Sequence, residues 1–263
     1  MSETDPKPRR QRRGIYLLPN LFTTAALFAG FYAIIAGMDG RFEAAAAAVF
    51  VAMVLDGADG RIARLTNTQS AFGAEYDSLS DVICFGLAPS LLVYEWALSG
   101  MGKLGWVAAF FFAAATALRL ARFNTQIGTA DKRYFQGLPC PPAGATVAAL
   151  VWFANDYGLQ AEDAAPFAFA MTIAIAGLMV SNVRFHSFKD LDLRGRVPFM
   201  TILVVVVLFV FVSSDPPLVL FVGTLAYAGS GPILTLWSIR KRRAARRAGA
   251  VRPGKRPRDA GTD

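Results

Sequence analysis

"LDGADGRIARLTNTQSAFGAEYDSLSDV", residues 55–82, sets four carboxylates, Asp56, Asp59, Asp77 and Asp81, between two strongly apolar runs, "AAAAAVFVAMV" before it and "ICFGLAPSLLVY" after it. Ionisable groups at the ends of such runs are costly in an apolar setting, so they pair, hold a cation or mark a functional site. Helical phase separates a built site from a solvated loop. At about 100° per residue, Asp56, Asp59, Gly60 and Ala63 fall on one stripe with Arg64 on its flank. On the following segment Gly73, Asp77 and Asp81 drift by only about 40° per step and also share a face. The spacing predicts two helices with acidic faces.

Composition says where these helices lie. The 263 residues are 54% hydrophobic and 17% charged, with a mean hydropathy of +0.40, whereas soluble domains carry about 25% charged residues. Runs such as "FMTILVVVVLFVFV" and "FAFAMTIAIAGLMV" are apolar around the whole helix circumference, which suits lipid better than a soluble core. Two cysteines and one histidine exclude an intrachain disulfide framework and a Cys/His zinc site. The first apolar run is too long for a signal-peptide core and reads as a retained span.

Hydrocarbon-core length, about 20 residues per helix, predicts an all-α integral membrane protein of about eight transmembrane helices. The segments are 15–38, 42–60, 74–99, 104–124, 142–158, 164–182, 197–213 and 216–239. They form a single membrane domain, 15–239, between a basic cytoplasmic tail, 1–14, and a basic disordered tail, 240–263. With both termini on one face, that face holds 25 of the 27 Lys and Arg, leaving Arg41 and Lys103 opposite. This bias marks the cytoplasmic side of the membrane and puts the carboxylates there. Trp96, Trp106 and Trp152 are expected at the far interface and Trp237 at the near one. The basic tails lie beside spans, so they are read as lipid-facing anchors with no nucleic-acid role.

Clustered carboxylates repel one another unless a cation compensates. Oxygen ligands without His or Cys select hard ions, Mg²⁺ or Mn²⁺, which keep positions open for phosphate oxygens. Gly60, Ala63 and Gly73 leave room for a ligand, and Arg64 offers planar recognition of a phosphate. Together these residues describe a metal-diphosphate cradle.

The pattern Asp56-x-x-Asp59-Gly60-x-x-Ala63-Arg64, then Gly73-x-x-x-Asp77-x-x-x-Asp81, resembles without a departure the signature of the CDP-alcohol phosphatidyltransferases. The resemblance implies a membrane enzyme, the first six helices forming the family's core and the last two an addition. It implies transfer of a phosphatidyl group from CDP-diacylglycerol to an alcohol, with release of CMP, and a homodimer. It further implies two metal ions held by Asp56, Asp59 and Asp77, with Asp81 joining the site as general base. Gly60, Ala63, Arg64 and Gly73 would line the CDP-lipid. "ALRLARFN" (117–124), "YFQGLPCPPAGA" (134–145) and "LMVSNVRFHSFKDL" (178–191) resemble the serine-using branch of the family. Serine is therefore the leading acceptor, and Arg119, Arg122, Asn124, Arg184 and Lys189 are the candidates to hold it through charge-assisted bonds. Glycerol 3-phosphate, inositol phosphate or choline are alternative acceptors for the same chemistry. A cation-coupled transporter is the alternative of another class, which the position of the acids near one interface and the lack of an internal repeat disfavour.

Overall fold

The structure, a computed structural model, describes residues 17–66, 68–125, 134–186 and 199–250. Helix α1 (Leu17–Met38) turns through Gly40 into α2 (Phe42–Leu65). A longer rod follows: α3 (Ala71–Asp81), a π-helical stretch (Val82–Leu87), α4 (Ala88–Val93), a second π stretch (Tyr94–Leu98) and a 3₁₀ turn (Ser99–Met101). Then come α5 (Lys103–Thr125), strand β1 (Tyr134–Gln136), α6 (Cys140–Asp156), α7 (Ala161–Val180), strand β2 (Arg184–His186), α8 (Phe199–Ser214) and α9 (Pro216–Ala250).

The chain is an all-α membrane protein in architecture. Among the described residues, five helical stretches are long and apolar enough to cross a bilayer: Leu18–Met38, Ala71–Met101, Lys103–Thr125, Ala161–Val180 and Pro216–Thr235. Of the other three expected spans, α2 carries Glu43, Asp56 and Asp59 within its apolar body, while α6 and α8 have 17 and 16 residues. The described residues thus form eight helical rods where eight spans are expected, and five of them have the length and apolarity of a span.

Small residues set the packing. On α1, Ala26, Ala29, Ala33 and Ala36 are buried while Phe28, Phe31, Ile35 and Met38 face outward. Ala29, Ala33 and Ala36 share one core with Ala45, Ala46, Ala48, Val49 and Ala52 of α2. In lipid, burying apolar surface gives no hydrophobic gain between helices, so close backbone approach and dispersion hold such pairs. The long rod shows the same logic. Pro89 cannot donate to the carbonyl of Phe85, and the widened π turn lies immediately before it. Gly144 of α6 approaches that carbonyl so closely that a Cβ would stand 2.9 Å from it.

Several boundaries differ from expectation. Helix α2 continues to Leu65, and α3 begins at Ala71, with Ser70 accepting the Gly73 N–H as its N-cap. Gly57 and Gly60 are accommodated in the helix, where a Cβ would meet nothing within 4 Å. Asp56 therefore lies about 13 Å inside the end of α2 at 1.5 Å per residue, against about 6 Å for a span ending at residue 60. Helix α9 runs to Ala250, into the segment expected as a disordered tail. Its Ala- and Arg-rich sequence propagates an existing helix without a nucleation cost. Trp96, expected at an interface, is buried in the bundle, whereas Trp106 and Trp237 are exposed.

At one end of the bundle β1 and β2 pair antiparallel, Phe135 opposite Phe185, a small departure from a purely helical chain. Gly137 follows at φ +78°, and a Cβ there would stand 2.1 Å from the Met179 carbonyl oxygen. Only glycine fits this turn. Elsewhere, Tyr157 after α6 donates to Asp215 at 2.5 Å, latching that turn to the α8–α9 turn; the neighbouring carboxylate holds this phenol above its usual range.

Candidate active site

The acidic faces of α2 and α3 converge. Ligand oxygens of Asp56, Asp59 and Asp77 all lie within 4.8 Å of one another. Asp59 is only 4% exposed and accepts a 2.6 Å hydrogen bond from the Thr23 hydroxyl of α1. Thr23 also bonds the Pro19 carbonyl at 3.2 Å, and its own carbonyl receives the Ser80 hydroxyl at 3.5 Å. Helix α1 thus braces both acidic helices.

Asp77 is the informative member. Its Oδ1 is buried and has no hydrogen-bond partner among the described residues. An orphaned carboxylate oxygen facing two further carboxylates is a costly arrangement, and a hard dication would supply the missing partner. The donor set fits Mg²⁺ or Mn²⁺. Asp81, one helical turn beyond Asp77, stands outside the 4.8 Å group yet interacts with Asp56 and Asp77. It is also within Coulombic reach of Arg119.

The remaining signature residues line the open side. Gly60 and Arg64 are exposed, Ala63 and Gly73 partly so, and the Arg64 Nε donates to the Gly60 carbonyl at 2.9 Å. A Cβ at Gly73 would meet Ser70 Oγ at 3.1 Å and Asn20 Oδ1 at 3.4 Å, so the polar end of α1 also borders this side.

The candidate acceptor residues separate. Arg119 is 7% exposed, with Nη1 donating to Cys140 Sγ at 3.1 Å and Nε unpartnered among the described residues. Its guanidinium lies 6.0 Å from the Phe123 ring centroid. Asn124 donates to Ser78 Oγ at 3.0 Å, which ties the end of α5 to the acidic helix. Arg122 instead donates to the carbonyls of Val180 and Gln136 at 3.2 and 3.1 Å, and to Met179 and Ser181 at longer range. That guanidinium works as a strut between β1 and the end of α7. The backbone of Arg184 pairs with Gln136 in the small sheet, and Lys189 lies outside the described residues.

Sequence reasoning missed Thr23 and Cys140. The signal for Thr23 was a hydroxyl pair, "TT" at 23–24, in an otherwise apolar span, since intramembrane hydroxyls bond across helices. Cys140 carried no such signal. Cys84, the other buried cysteine, donates to the Ala26 carbonyl and lies 3.7 Å from Ser80 Oγ.

A membrane bundle with paired acidic helices, a buried carboxylate oxygen without a partner among the described residues and an open small-residue flank forms a candidate site for a dication beside a phosphorylated ligand. The chain belongs to the CDP-alcohol phosphatidyltransferase family, whose model matches residues 16–183. That segment covers α1 to α7 and ends as β2 begins. A CDP-diacylglycerol–serine O-phosphatidyltransferase of Helicobacter pylori is 37% identical over 209 residues, 80% of this chain and 87% of its own length. The protein of that name from Mycobacterium tuberculosis is 38% identical over 160 residues, 58% of this chain and 55% of its own. An archaetidylserine synthase of Methanothermobacter thermautotrophicus is 32% identical over 170 residues, 64% of this chain and 69% of its own.

Proposed function

We propose that the chain transfers a phosphatidyl group from CDP-diacylglycerol to L-serine, giving phosphatidylserine and CMP. The observation that carries the reading is the convergence of Asp56, Asp59 and Asp77 around an unpartnered Asp77 oxygen. The names of the similar proteins support serine as acceptor.

Asp56, Asp59 and Asp77, joined by Asp81, would hold two Mg²⁺ or Mn²⁺ ions. Bound there, the ions would neutralise the diphosphate and stabilise charge on the departing CMP. The chain's own residues do the rest. Gly60, Ala63 and Gly73 keep the flank low enough for the nucleotide end of the CDP-lipid, and Arg64 pairs with its phosphates. Asp81 accepts the proton of the serine hydroxyl as that oxygen bonds to the lipid-linked phosphorus and the bridging P–O bond to CMP breaks. Transfer is direct, and a phosphatidyl-enzyme trapped without acceptor would contradict it. Arg119 supplies the cation for the serine carboxylate; Asn124 lies on the same helix, and Arg184 and Lys189 are further candidates on their sequence positions alone. The acidic end of the bundle faces the cytoplasm, as the gathering of basic residues there supports. The working unit is a homodimer, as family membership suggests.

The test gives the purified protein CDP-diacylglycerol, a divalent cation and labelled serine, glycerol 3-phosphate, inositol phosphate and choline in separate reactions. Phosphatidylserine with equimolar CMP is expected. A different lipid product would overturn the acceptor, and a lack of CMP release with every alcohol would overturn the enzyme class in favour of transport.

A further inference from the structure

We infer that Cys140, the first residue of α6, is a positioning residue for the acceptor: its thiol holds the Arg119 guanidinium so that the Nε edge stays free for the acceptor's anionic group. The inference rests on the acceptor reading above. Packing contacts bring Arg119 level with the acids. Along α5, Thr116 lies against Gly86, where a Cβ would stand 3.1 Å from Thr116 Cβ, and Asn124 donates to Ser78 Oγ at 3.0 Å. Helix α5 thus runs antiparallel to the rod that begins with α3, the eight positions from Thr116 to Asn124 matching the eight from Gly86 back to Ser78. In that register Arg119 falls level with Ile83, two positions from Asp81, or about 3 Å along the helix axis.

The thiol engages one limb of the guanidinium and leaves another open. In this group Nη1 lies on the Cδ side, while Nε and Nη2 form the side-on fork that meets a carboxylate through two parallel bonds. Cys140 Sγ takes Nη1 at 3.1 Å, and Nε is buried without a partner among the described residues. A buried guanidinium N–H left unanswered is costly, and an anionic group on the acceptor answers it. Sulfur suits the task because its proton is offered to the Thr116 carbonyl at 3.9 Å. The thiol is then a neutral acceptor, and it steers Arg119 without cancelling the charge that the acceptor needs. Its mount is rigid. Leu138 N–H bonds the Leu178 carbonyl at 3.0 Å on one side, and on the other Gly144 sits so close to the Phe85 carbonyl that a Cβ would stand 2.9 Å away. Cys140 is fully buried between these anchors. The guanidinium is therefore oriented before the acceptor arrives, which lowers the ordering cost of binding.

The test is steady-state kinetics of the full-length protein as Cys140→Ala, Cys140→Ser, Arg119→Gln and the Cys140→Ala/Arg119→Gln pair, with serine and CDP-diacylglycerol varied in turn and thermal stability measured in parallel. Loss of one hydrogen bond to a charged group, with sulfur a weak acceptor, predicts a serine KM about 10-fold higher in Cys140→Ala. The kcat, the CDP-diacylglycerol KM and Tm should stay near the parent values. Cys140→Ser restores an acceptor and should bring the serine KM back toward that of the parent. In the Arg119→Gln background Cys140→Ala should add nothing, because the two residues act through one guanidinium. If Cys140→Ala does not accumulate, Cys140→Val, which fills the space without an acceptor, is read in the same way. An unchanged serine KM in Cys140→Ala where Arg119→Gln raises it overturns the inference. So does a full additional effect of Cys140→Ala in the Arg119→Gln background, or a fall in kcat and Tm without a KM effect, which would make Cys140 a packing residue. An unchanged serine KM in Arg119→Gln strikes instead at the acceptor reading, and the inference falls with it.

Discussion

Replacing Thr23 by Val removes a single hydroxyl from α1, outside the eight-residue signature, and tests whether the carboxylates work as a metal site. The lost bond is short, 2.6 Å, and its acceptor is a buried carboxylate. Hydrogen bonds to charged groups contribute about 1.5–3 kcal/mol, and each 1.4 kcal/mol is tenfold in an equilibrium, so the substitution is worth about 10- to 150-fold. The contribution should surface in metal affinity, because a partner that orients a ligating carboxylate typically controls it by about 10- to 100-fold. The assay is the initial rate of CMP release across a Mn²⁺ titration at saturating CDP-diacylglycerol and serine. The half-saturating Mn²⁺ concentration should rise by that factor, and excess metal should restore most of the rate. An unchanged Mn²⁺ curve would refute the assignment of Asp59 as a ligand braced by Thr23.

Asp81→Asn should lower transfer by about 10²- to 10⁴-fold, the usual contribution of a general base, while CDP-diacylglycerol binding measured calorimetrically persists; equal loss of binding would make Asp81 chiefly a metal ligand. Gly137→Ala must place a Cβ against the Met179 carbonyl at a positive φ, a strain of about 1–3 kcal/mol before the clash is counted, so Tm should drop clearly in a thermal melt. Arg122→Gln should also lower Tm, through the lost carbonyl contacts at the end of α7, with serine KM unaffected; a raised serine KM at unchanged Tm would return Arg122 to the acceptor pocket.

The acidic faces were legible in the sequence because their spacing matches helical phase, and because four carboxylates beside apolar runs need a physical reason. The full depth of Asp56 inside α2 was not, since the apolar run that marks the span gives out near residue 60 while the helix continues to Leu65. The bracing of Asp59 by Thr23 spans 36 residues, and no local period reports a contact of that kind. Arg119 and Arg122 look equivalent in "ALRLARFN". Their three-residue offset on α5 sends one to the Cys140 thiol and the other to the carbonyls closing α7, a difference fixed by tertiary packing. Helix α9 was legible as a span, but its seat on Phe185 depends on Gly231 meeting a ring 46 positions earlier, which only the folded chain brings together.

Crystals of the protein grown with Mn²⁺ and a CDP-lipid, measured at a wavelength where manganese scatters anomalously, would address the cradle itself. The account predicts anomalous density among Asp56, Asp59 and Asp77, in contact with Asp77 Oδ1 and with the diphosphate oxygens. Diphosphate bound elsewhere, or full transfer activity in chelated protein with no metal density between those carboxylates, would contradict it.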